Sequence, residues 1–194
     1  MPLTPNASPA APAPRPEPFL PLGGSPDEPN YRRAFARHPR VYAAWDALLA
    51  AVKEGVDLRR YELATLAAAR RLRSSYCCLA HGKVLAEQHL DPAKVRAIAI
   101  DHHEAGLDEV DVAVMDFAAK VAGDATAVTQ ADVDRLRALG LSDKDVFDVV
   151  LWVAARAFLT KTVDAIGVLP DASFRAMAGE LRDALTVGRG IAEP

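Results

Sequence analysis

The stretch that decides the fold is ELATLAAARRLRSSYCCLAH, residues 62–81. Alanine, leucine and arginine, which are strong helix formers, fill its first half, and a pair of serines separates this half from a second apolar stretch. Serine and aspartate are residue types that cap helix N-termini. We therefore predict two consecutive helices, one over residues 58–72 with Asp57 as its cap and one over residues 77–90 with one of the two serines as its cap.

Helix signals repeat along the rest of the chain. A proline opens an alanine- and leucine-rich segment at residues 41–52, Asp91 is followed by another proline, and two Ser/Thr-x-x-Asp motifs resemble capping boxes. Glycines stand where these helices should stop, at Gly106, Gly140 and Gly167. No strand-like alternation of useful length occurs, so the sequence predicts an all-α fold.

Proline content divides the chain into two parts. Ten of the fourteen prolines lie in residues 1–29, and proline is not tolerated in a helix interior. We predict a Pro-rich extended arm over residues 1–30 and a single all-helical domain over residues 31–194. The apolar side chains of residues 19–22 should dock on the helical body, whereas residues 1–16 should contribute little.

Charge and hydropathy exclude several classes of protein. The formal net charge is −3, and the chain lacks the basic footprint that binds phosphate backbones, so nucleic acid is not an expected partner. The sequence has no apolar run of about 18 residues and no basic start followed by an apolar block. We therefore expect no membrane span, no secretory signal and a cytoplasmic location. No glycine-rich phosphate loop is present, and no cofactor is predicted.

The segment at residues 146–168 is the most apolar of the predicted helices, with apolar side chains nearly all round. A helix of this kind is either central or buried in a subunit interface. We expect it to lie at, or just beneath, a contact between copies of the chain in a homo-oligomer. The other helices each keep one charged face, as surface helices do.

A buried carboxylate is predicted on the first helix of the deciding stretch. Glu62 shares a helix face with Leu58 and Leu66, while arginines lie on the opposite face. A carboxylate on a buried face needs a partner, because an unpaired buried charge is costly or becomes neutralised. Taken alone, Glu62 is most simply interpreted as one half of an ion pair with an arginine or lysine of another helix.

The second helix carries a candidate thiol site. Cys77 and His81 are four residues apart and are therefore neighbours on one face. Cys77 falls in the first turn, where the helix N-terminus and a nearby histidinium both favour a thiolate, as a nucleophilic or redox cysteine requires. Cys78 is three residues from His81 and could compete for it. The alternative is that both cysteines are small buried hydrophobes beside a satisfied histidine.

These two helices together resemble the alkyl hydroperoxidase D and carboxymuconolactone decarboxylase family, in its peroxidase-related branch. That family has a glutamate, a Cys-x-x-Cys motif that starts twelve residues later, and a histidine four residues after the second cysteine. Glu62, Cys77 and His81 stand at this spacing, and the Tyr76-Cys77 pair is typical of the peroxidase-related members. The resemblance implies an alkyl hydroperoxidase D-like helical bundle, a symmetric oligomer, and a peroxide-reducing thiolate with a proton relay through glutamate and histidine.

The chain departs from the family motif at one position. Ser74 replaces the first cysteine, so the disulfide partner of Cys77 is missing. Cys78 is a poor replacement, because adjacent helix residues point to different sides and a vicinal disulfide strains the backbone. An oxidised Cys77 would therefore need an external thiol reductant, or a cysteine of another subunit, to return to the thiol.

A metal site is not predicted. The pair His102-His103 lies in a strongly polar stretch, and on a helix its two rings would diverge, so a solvated helix end is the simpler interpretation. Cys77, Cys78 and His81 also lack the spacing of common zinc sites.

The residues leave three functional hypotheses open. The first is a thiol-dependent, peroxidase-related antioxidant oxidoreductase acting on a peroxide or another small molecule, with Cys77 as nucleophile, His81 as base or proton shuttle and Glu62 as the group that orients and charges His81. Its activity would be weakened by the serine in the motif. The second is a lyase that resembles carboxymuconolactone decarboxylase, with Glu62 and His81 as acid and base. The third is a non-catalytic, redox-responsive or structural oligomer.

Overall fold

The computed structural model describes residues 17–194. Nine α-helices make up this part of the chain, which contains no strand. The helices are Asn30–Ala34 (α1), Pro39–Val52 (α2), Leu58–Arg71 (α3), Ser75–Gln88 (α4), Pro92–Ile100 (α5), Glu109–Asp124 (α6), Gln130–Ala138 (α7), Asp143–Ala165 (α8) and Gly179–Leu185 (α9). Short 3₁₀ helices at Ala125–Ala127 and Ala172–Ala176 precede α7 and α9. The all-α fold that the sequence predicts is confirmed.

Most of the predicted helix caps are confirmed. The Asp57 carboxylate accepts a hydrogen bond from the Arg60 amide at 3.1 Å, and both capping boxes form, at the starts of α7 and α8. Ser74 is the N-cap residue of α4, with an extended backbone, but its side chain makes no capping hydrogen bond. Because Ser74 is the N-cap residue, the first residue of α4 is Ser75, two residues before the predicted start.

The central helix is α3, which lies against α4, α6 and α8. Every residue from Tyr61 to Ala69 is buried, and several of them are alanines, which allow neighbouring helices to approach closely. The helical wheel placed Leu58 on the buried face, but its side chain is 47% exposed. The reason is positional, since Leu58 lies in the first turn, before α3 enters the core.

The long apolar helix α8 keeps part of its apolar surface exposed, whereas its composition allows either a central position or a subunit interface. Phe147 and Phe158 on α8 are 59% and 41% exposed. Helix α2 covers another part of its surface, because the indole of Trp45 donates a hydrogen bond to the Ala155 carbonyl at 2.8 Å. Neither α8 nor any other helix in residues 17–194 is long and apolar enough to cross a membrane. The expected subunit contact on α8 stays a prediction.

The described part of the N-terminal arm, which begins at residue 17, docks less fully than expected. Leu22 packs against the core, and the Phe19 amide donates a hydrogen bond to the Ile166 carbonyl at 2.8 Å. The side chains of Phe19 and Leu20 nevertheless remain 47% and 48% exposed, so the prediction of apolar burial over residues 19–22 holds for Leu22 but is wrong for Leu20. The expectation for residues 1–16 lies outside the described residues.

Candidate active site

Glu62 and His81 form a buried pair between α3 and α4. His81 Nδ1 lies 2.5 Å from Glu62 Oε2, and the two residues are only 5% and 4% exposed. The partner of the buried carboxylate is therefore a histidine, and not the arginine or lysine that Glu62 alone suggests. Because Glu62 occupies Nδ1, Nε2 is the ring nitrogen that remains for proton transfer.

Positive charges near the Glu62–His81 pair decide its protonation. Burial raises the pKa of Glu62, but the His81 hydrogen bond and the charges of Arg156 and Lys53 outweigh this effect and lower the pKa. Burial and the charge of Arg156 lower the pKa of His81 by more than the Glu62 contact raises it. At neutral pH the pair is an ionised carboxylate and a neutral imidazole. Glu62 holds His81 through Nδ1, and the direction of the His81 pKa shift favours a neutral ring over the charged ring that the sequence predicts.

The Cys77 thiol lies deep in the protein, in the first turn of α4. Only 3% of Cys77 is exposed, and its Sγ lies 3.0 Å from the Thr160 hydroxyl of α8. No direct hydrogen bond joins Cys77 to His81 among the described residues. Burial raises the pKa of the Cys77 thiol, and the Thr160 hydrogen bond and the charge of Arg156 only partly offset this rise. In the resting protein the direction of this pKa shift therefore favours the neutral thiol over the thiolate that the sequence predicts.

Ser74, the residue in place of the family's first cysteine, is fully buried next to Cys77. Its hydroxyl oxygen has no partner with hydrogen-bond geometry in residues 17–194, although it lies close enough to Cys77 and Asp164 to oppose the rise in their pKa values. An orphaned buried hydroxyl is unfavourable. Ser74 therefore lies beside Cys77, where the family motif places its first cysteine, but its hydroxyl makes no hydrogen bond among the described residues.

The other two candidate residues lie in the core without joining this pair. Cys78 is completely buried, burial raises the pKa of its thiol, and both cysteines are free. The Tyr76 hydroxyl donates a hydrogen bond to Asp171 and accepts one from the Tyr31 amide, so it ties α4 to α1 and to the segment that follows α8. These contacts give Tyr76 a structural role.

Two residues of α8 that were not predicted from the sequence also shape the site. Thr160 holds the Cys77 sulfur, and the Arg156 Nε donates a hydrogen bond to the Tyr61 hydroxyl at 2.7 Å, beside the Glu62–His81 pair. Arg156 is the single arginine of α8 and stands in a run of apolar residues, which is a sequence signal that could have marked it. The partners of Thr160 and Arg156, Cys77 and Tyr61, lie 83 and 95 residues earlier in the chain, so local sequence patterns do not predict these contacts.

An apolar groove lies between α2 and α8. Its volume is about 660 Å³, and Trp45 and Phe158 are among the residues that line it. The guanidinium of Arg156 lies 5.7 Å from the Trp45 ring centre and 5.6 Å from the Tyr61 ring centre. Arg156 therefore stands between the wall of the groove and the buried pair.

Comparison with solved structures shows proteins of the same fold. An uncharacterised peroxidase-related protein from Ralstonia eutropha JMP134, described as an alkylhydroperoxidase AhpD core, is 26% identical, with a TM-score of 0.70 over 77% of this chain and 80% of its own. A peroxidase-related protein from Silicibacter sp. TM1040 is 22% identical, with the same TM-score and the same coverage. This chain has an alkyl hydroperoxidase D-like fold. No family model and no curated protein matches the chain.

The alkyl hydroperoxidase D-like fold also occurs in a protein with another activity. The debrominase Bmp8, solved as a cysteine-to-alanine variant with 2,3,4-tribromopyrrole, is 17% identical, with a TM-score of 0.68 over 80% of this chain and 82% of its own. At this identity the similarity shows the fold alone. The fold is therefore used by enzymes with more than one activity.

The buried pair of this alkyl hydroperoxidase D-like chain predicts acid sensitivity. Because the folded-state pKa of His81 lies below its ordinary value, the unfolded chain binds a proton first as the pH falls below about 6.5, and stability decreases with a slope of at most about 1.4 kcal/mol per pH unit. The lowered pKa of Glu62 acts in the same direction at lower pH, because its stabilising contribution is lost as the pH falls through its folded-state pKa.

Urea unfolding between pH 7 and pH 5 measures this effect. The decrease in unfolding free energy should be smaller in His81→Gln than in the wild type, while His38→Gln, a change at an exposed histidine, should keep the wild-type decrease. If the unfolding free energy falls with pH equally in the wild type and in His81→Gln, the fold does not hold His81 neutral.

Proposed function

We propose that this chain is a thiol-dependent oxidoreductase that reduces a small peroxide, with Cys77 as the nucleophile. The observation that carries the proposal is the buried Glu62–His81 pair, one helical turn from a buried cysteine. The similarity to peroxidase-related proteins, the first of them 26% identical, supports the same class of reaction.

The reaction begins from a neutral thiol and a neutral imidazole, the resting forms that burial favours. The Cys77 proton passes to His81 Nε2, and the resulting thiolate attacks one oxygen of the peroxide. The O–O bond breaks, and the leaving oxygen takes the proton from His81. The products are a Cys77 sulfenic acid and an alcohol or water, so the sulfur is oxidised by two electrons and the peroxide is reduced by two.

Regeneration of Cys77 needs two external thiols, since neither Ser74 nor Cys78 supplies a resolving partner. The first thiol condenses with the sulfenic acid, forms a mixed disulfide and releases water. The second attacks the mixed disulfide, so that Cys77 returns to the thiol and a disulfide of the two external thiols leaves. This reductant, and a cytoplasmic location in which such thiols are kept reduced, belong to the proposal.

Burial restricts the substrate to small molecules. Cys77, His81 and Glu62 are each no more than 5% exposed, so side chains must move before a substrate reaches the sulfur. We place its entry at the groove between α2 and α8, where Trp45 lies next to Arg156. Arg156 is placed to act as such a gate, because it stands between the groove and the pair. The proposal therefore favours hydrogen peroxide or a short alkyl hydroperoxide over a bulky one.

The proposal includes self-association of the chain. Apolar side chains are exposed on α2 and α8, with Leu48 at 49% and Phe158 at 41%, and both line the groove. Exposed apolar patches of this kind mark interaction sites. A contact there between two copies would also cover the approach to Arg156, so the assembly would shape access to the thiol.

The two adjacent cysteines provide a matched test of the proposed activity. Peroxide consumption in the presence of a thiol reductant should be saturable in the wild type and lost in Cys77→Ala, because no other residue offers the nucleophile. Cys78→Ala, which removes an equally buried thiol one residue away, should keep most of the activity. Replacing His81 with glutamine should lower the rate by about 10²–10⁴-fold, the usual contribution of a general base.

Two outcomes would contradict this function. Activity that survives in Cys77→Ala would favour the lyase hypothesis, in which Glu62 and His81 act without the thiol. A wild-type protein that consumes no hydrogen peroxide or short alkyl hydroperoxide would favour the non-catalytic hypothesis or a different thiol reaction.

A further inference from the structure

The turn that follows α5 brings two adjacent histidines onto one carboxylate of α6. His102 Nε2 lies 2.9 Å and His103 Nε2 lies 3.1 Å from the same atom, Asp116 Oδ1. The two imidazole rings lie side by side, with centres 4.2 Å apart and planes tilted by 34°. Three side chains with metal-binding atoms therefore converge on one point of the surface.

This convergence depends on where α5 ends. On a continuous helix the two rings would diverge, and the sequence analysis set the pair aside for that reason. In the structure α5 ends at Ile100, so Asp101, His102 and His103 follow it in a turn and their side chains gather on one side. One ligand atom from each of these three residues lies within 4.8 Å of the others.

The spacing of the ligand atoms suits a transition metal. Two neighbouring atoms bound to one Zn²⁺ at about 2.0–2.1 Å lie about 2.8–3.4 Å from each other in octahedral or tetrahedral geometry. The distances from Asp116 Oδ1 to the two imidazole nitrogens are 2.9 Å and 3.1 Å. Each imidazole nitrogen therefore already stands at a ligand-to-ligand distance from the shared Asp116 oxygen.

The ligands are held in place by their surroundings. The Asp101 carboxylate accepts a hydrogen bond from the His103 amide at 3.0 Å, which orients both residues. At the end of the turn Gly106 adopts a positive φ, and its carbonyl accepts a hydrogen bond from Lys94 Nζ at 2.7 Å. An ordered turn lowers the entropic cost of binding.

The local charge also suits a divalent cation. Two carboxylates, Asp101 and Asp116, face the histidines. The nearest cation in the described part of the chain, the Arg135 guanidinium, lies 3.7 Å from Asp116 Oδ2, which is the oxygen that points away from the histidines. Asp116 can therefore keep its ion pair through one oxygen and bind a metal through the other.

We propose that His102, His103 and Asp116 bind a divalent transition-metal ion of the Zn²⁺ type, with the Asp101 carboxylate as a further ligand. Imidazole nitrogen and carboxylate oxygen are suitable ligands for Zn²⁺, Co²⁺ and Ni²⁺. The bound ion ties the turn after α5 to α6. The site is independent of the proposed function, since no hydrogen bond or ion pair within residues 17–194 joins these residues to Cys77, Glu62 or His81.

Calorimetric titration of the untagged, metal-free full chain with Zn²⁺ tests the proposal. We expect a single binding site whose affinity falls at least about tenfold in His102→Ala, His103→Ala and Asp116→Asn, because each removes one ligand. His38→Ala, a change at an exposed histidine outside the cluster, should bind as the wild type does. At a free Zn²⁺ concentration about 100-fold above Kd, the melting temperature should rise by about 5–10 °C.

Titration with Co²⁺ identifies the ligands independently of any variant. Nitrogen and oxygen ligands should give a weak visible absorption without a thiolate-to-cobalt charge-transfer band. Three results would each overturn the proposal: a charge-transfer band from Cys77 or Cys78, Zn²⁺ affinity that is unchanged in the three ligand variants, or the absence of a saturable heat of binding in the wild type.

Discussion

Replacing Glu62 with alanine should lower the free energy of unfolding by about 3–5 kcal/mol, because a buried donor left without its acceptor costs about 1–3 kcal/mol and the cavity in the core adds to this cost. The variant leaves the Nδ1–H of a fully buried His81 without an acceptor, and it leaves the nearby charges of Arg156 and Lys53 without a counter-charge. It also opens a cavity in α3, the central helix. Chemical denaturation at pH 7 and at one protein concentration measures the loss.

Two control variants separate the causes of this loss. Glu62→Gln keeps a hydrogen-bond acceptor and most of the volume, so its cost should be clearly smaller than that of Glu62→Ala. Glu87→Ala removes an exposed carboxylate that pairs with Lys83 on the surface of α4, and it should cost no more than about 0.5 kcal/mol. A loss below about 1 kcal/mol in Glu62→Ala would show that the buried pair contributes little to stability.

Replacing Ser74 with cysteine should create an internal disulfide with Cys77 and raise dithiol-dependent peroxide turnover by at least about tenfold, because an intramolecular thiol reacts at a high effective concentration. Ser74 is the N-cap of α4 and Cys77 lies three residues later, so the two side chains are neighbours within the first turn. The Ser74 hydroxyl lacks a partner, and a thiol loses less than a hydroxyl when it is buried without one. The substitution should therefore be tolerated by the fold.

Mass spectrometry after peroxide treatment follows the fate of the sulfur. The wild type, which lacks a resolving thiol, should accumulate Cys77 sulfinic and sulfonic acid. Ser74→Cys should instead lose two hydrogen atoms and regain them on reduction. Combining Ser74→Cys with Cys77→Ala should abolish both the disulfide and the gain in turnover. If Ser74→Cys forms no disulfide and gains no activity, Cys77 does not react as a peroxidatic thiol.

The sequence determined the local geometry of this protein. Caps such as Asp57 and the spacing of apolar residues depend only on near neighbours, so helices α3 and α4 could be predicted to within a few residues. Helical spacing likewise placed Cys77 and His81 on one face, and it indicated that Glu62 needs a buried partner. The family resemblance at these three residues led to the fold that the solved structures show.

Only the tertiary structure decided the chemistry of the site. The contacts of Cys77 with Thr160 and of Tyr61 with Arg156 join residues separated by 83 and 95 positions, and no local pattern encodes them. The pKa shifts of Cys77 and His81 follow mainly from burial, and that of Glu62 follows from the His81 hydrogen bond and nearby charges. Both effects depend on how the other helices pack around α3 and α4. The convergence of His102 and His103 depends in turn on the residue at which α5 ends and on the approach of α6. Periodicity and capping act over a few residues, whereas burial and electrostatics are set by the packing of the whole chain.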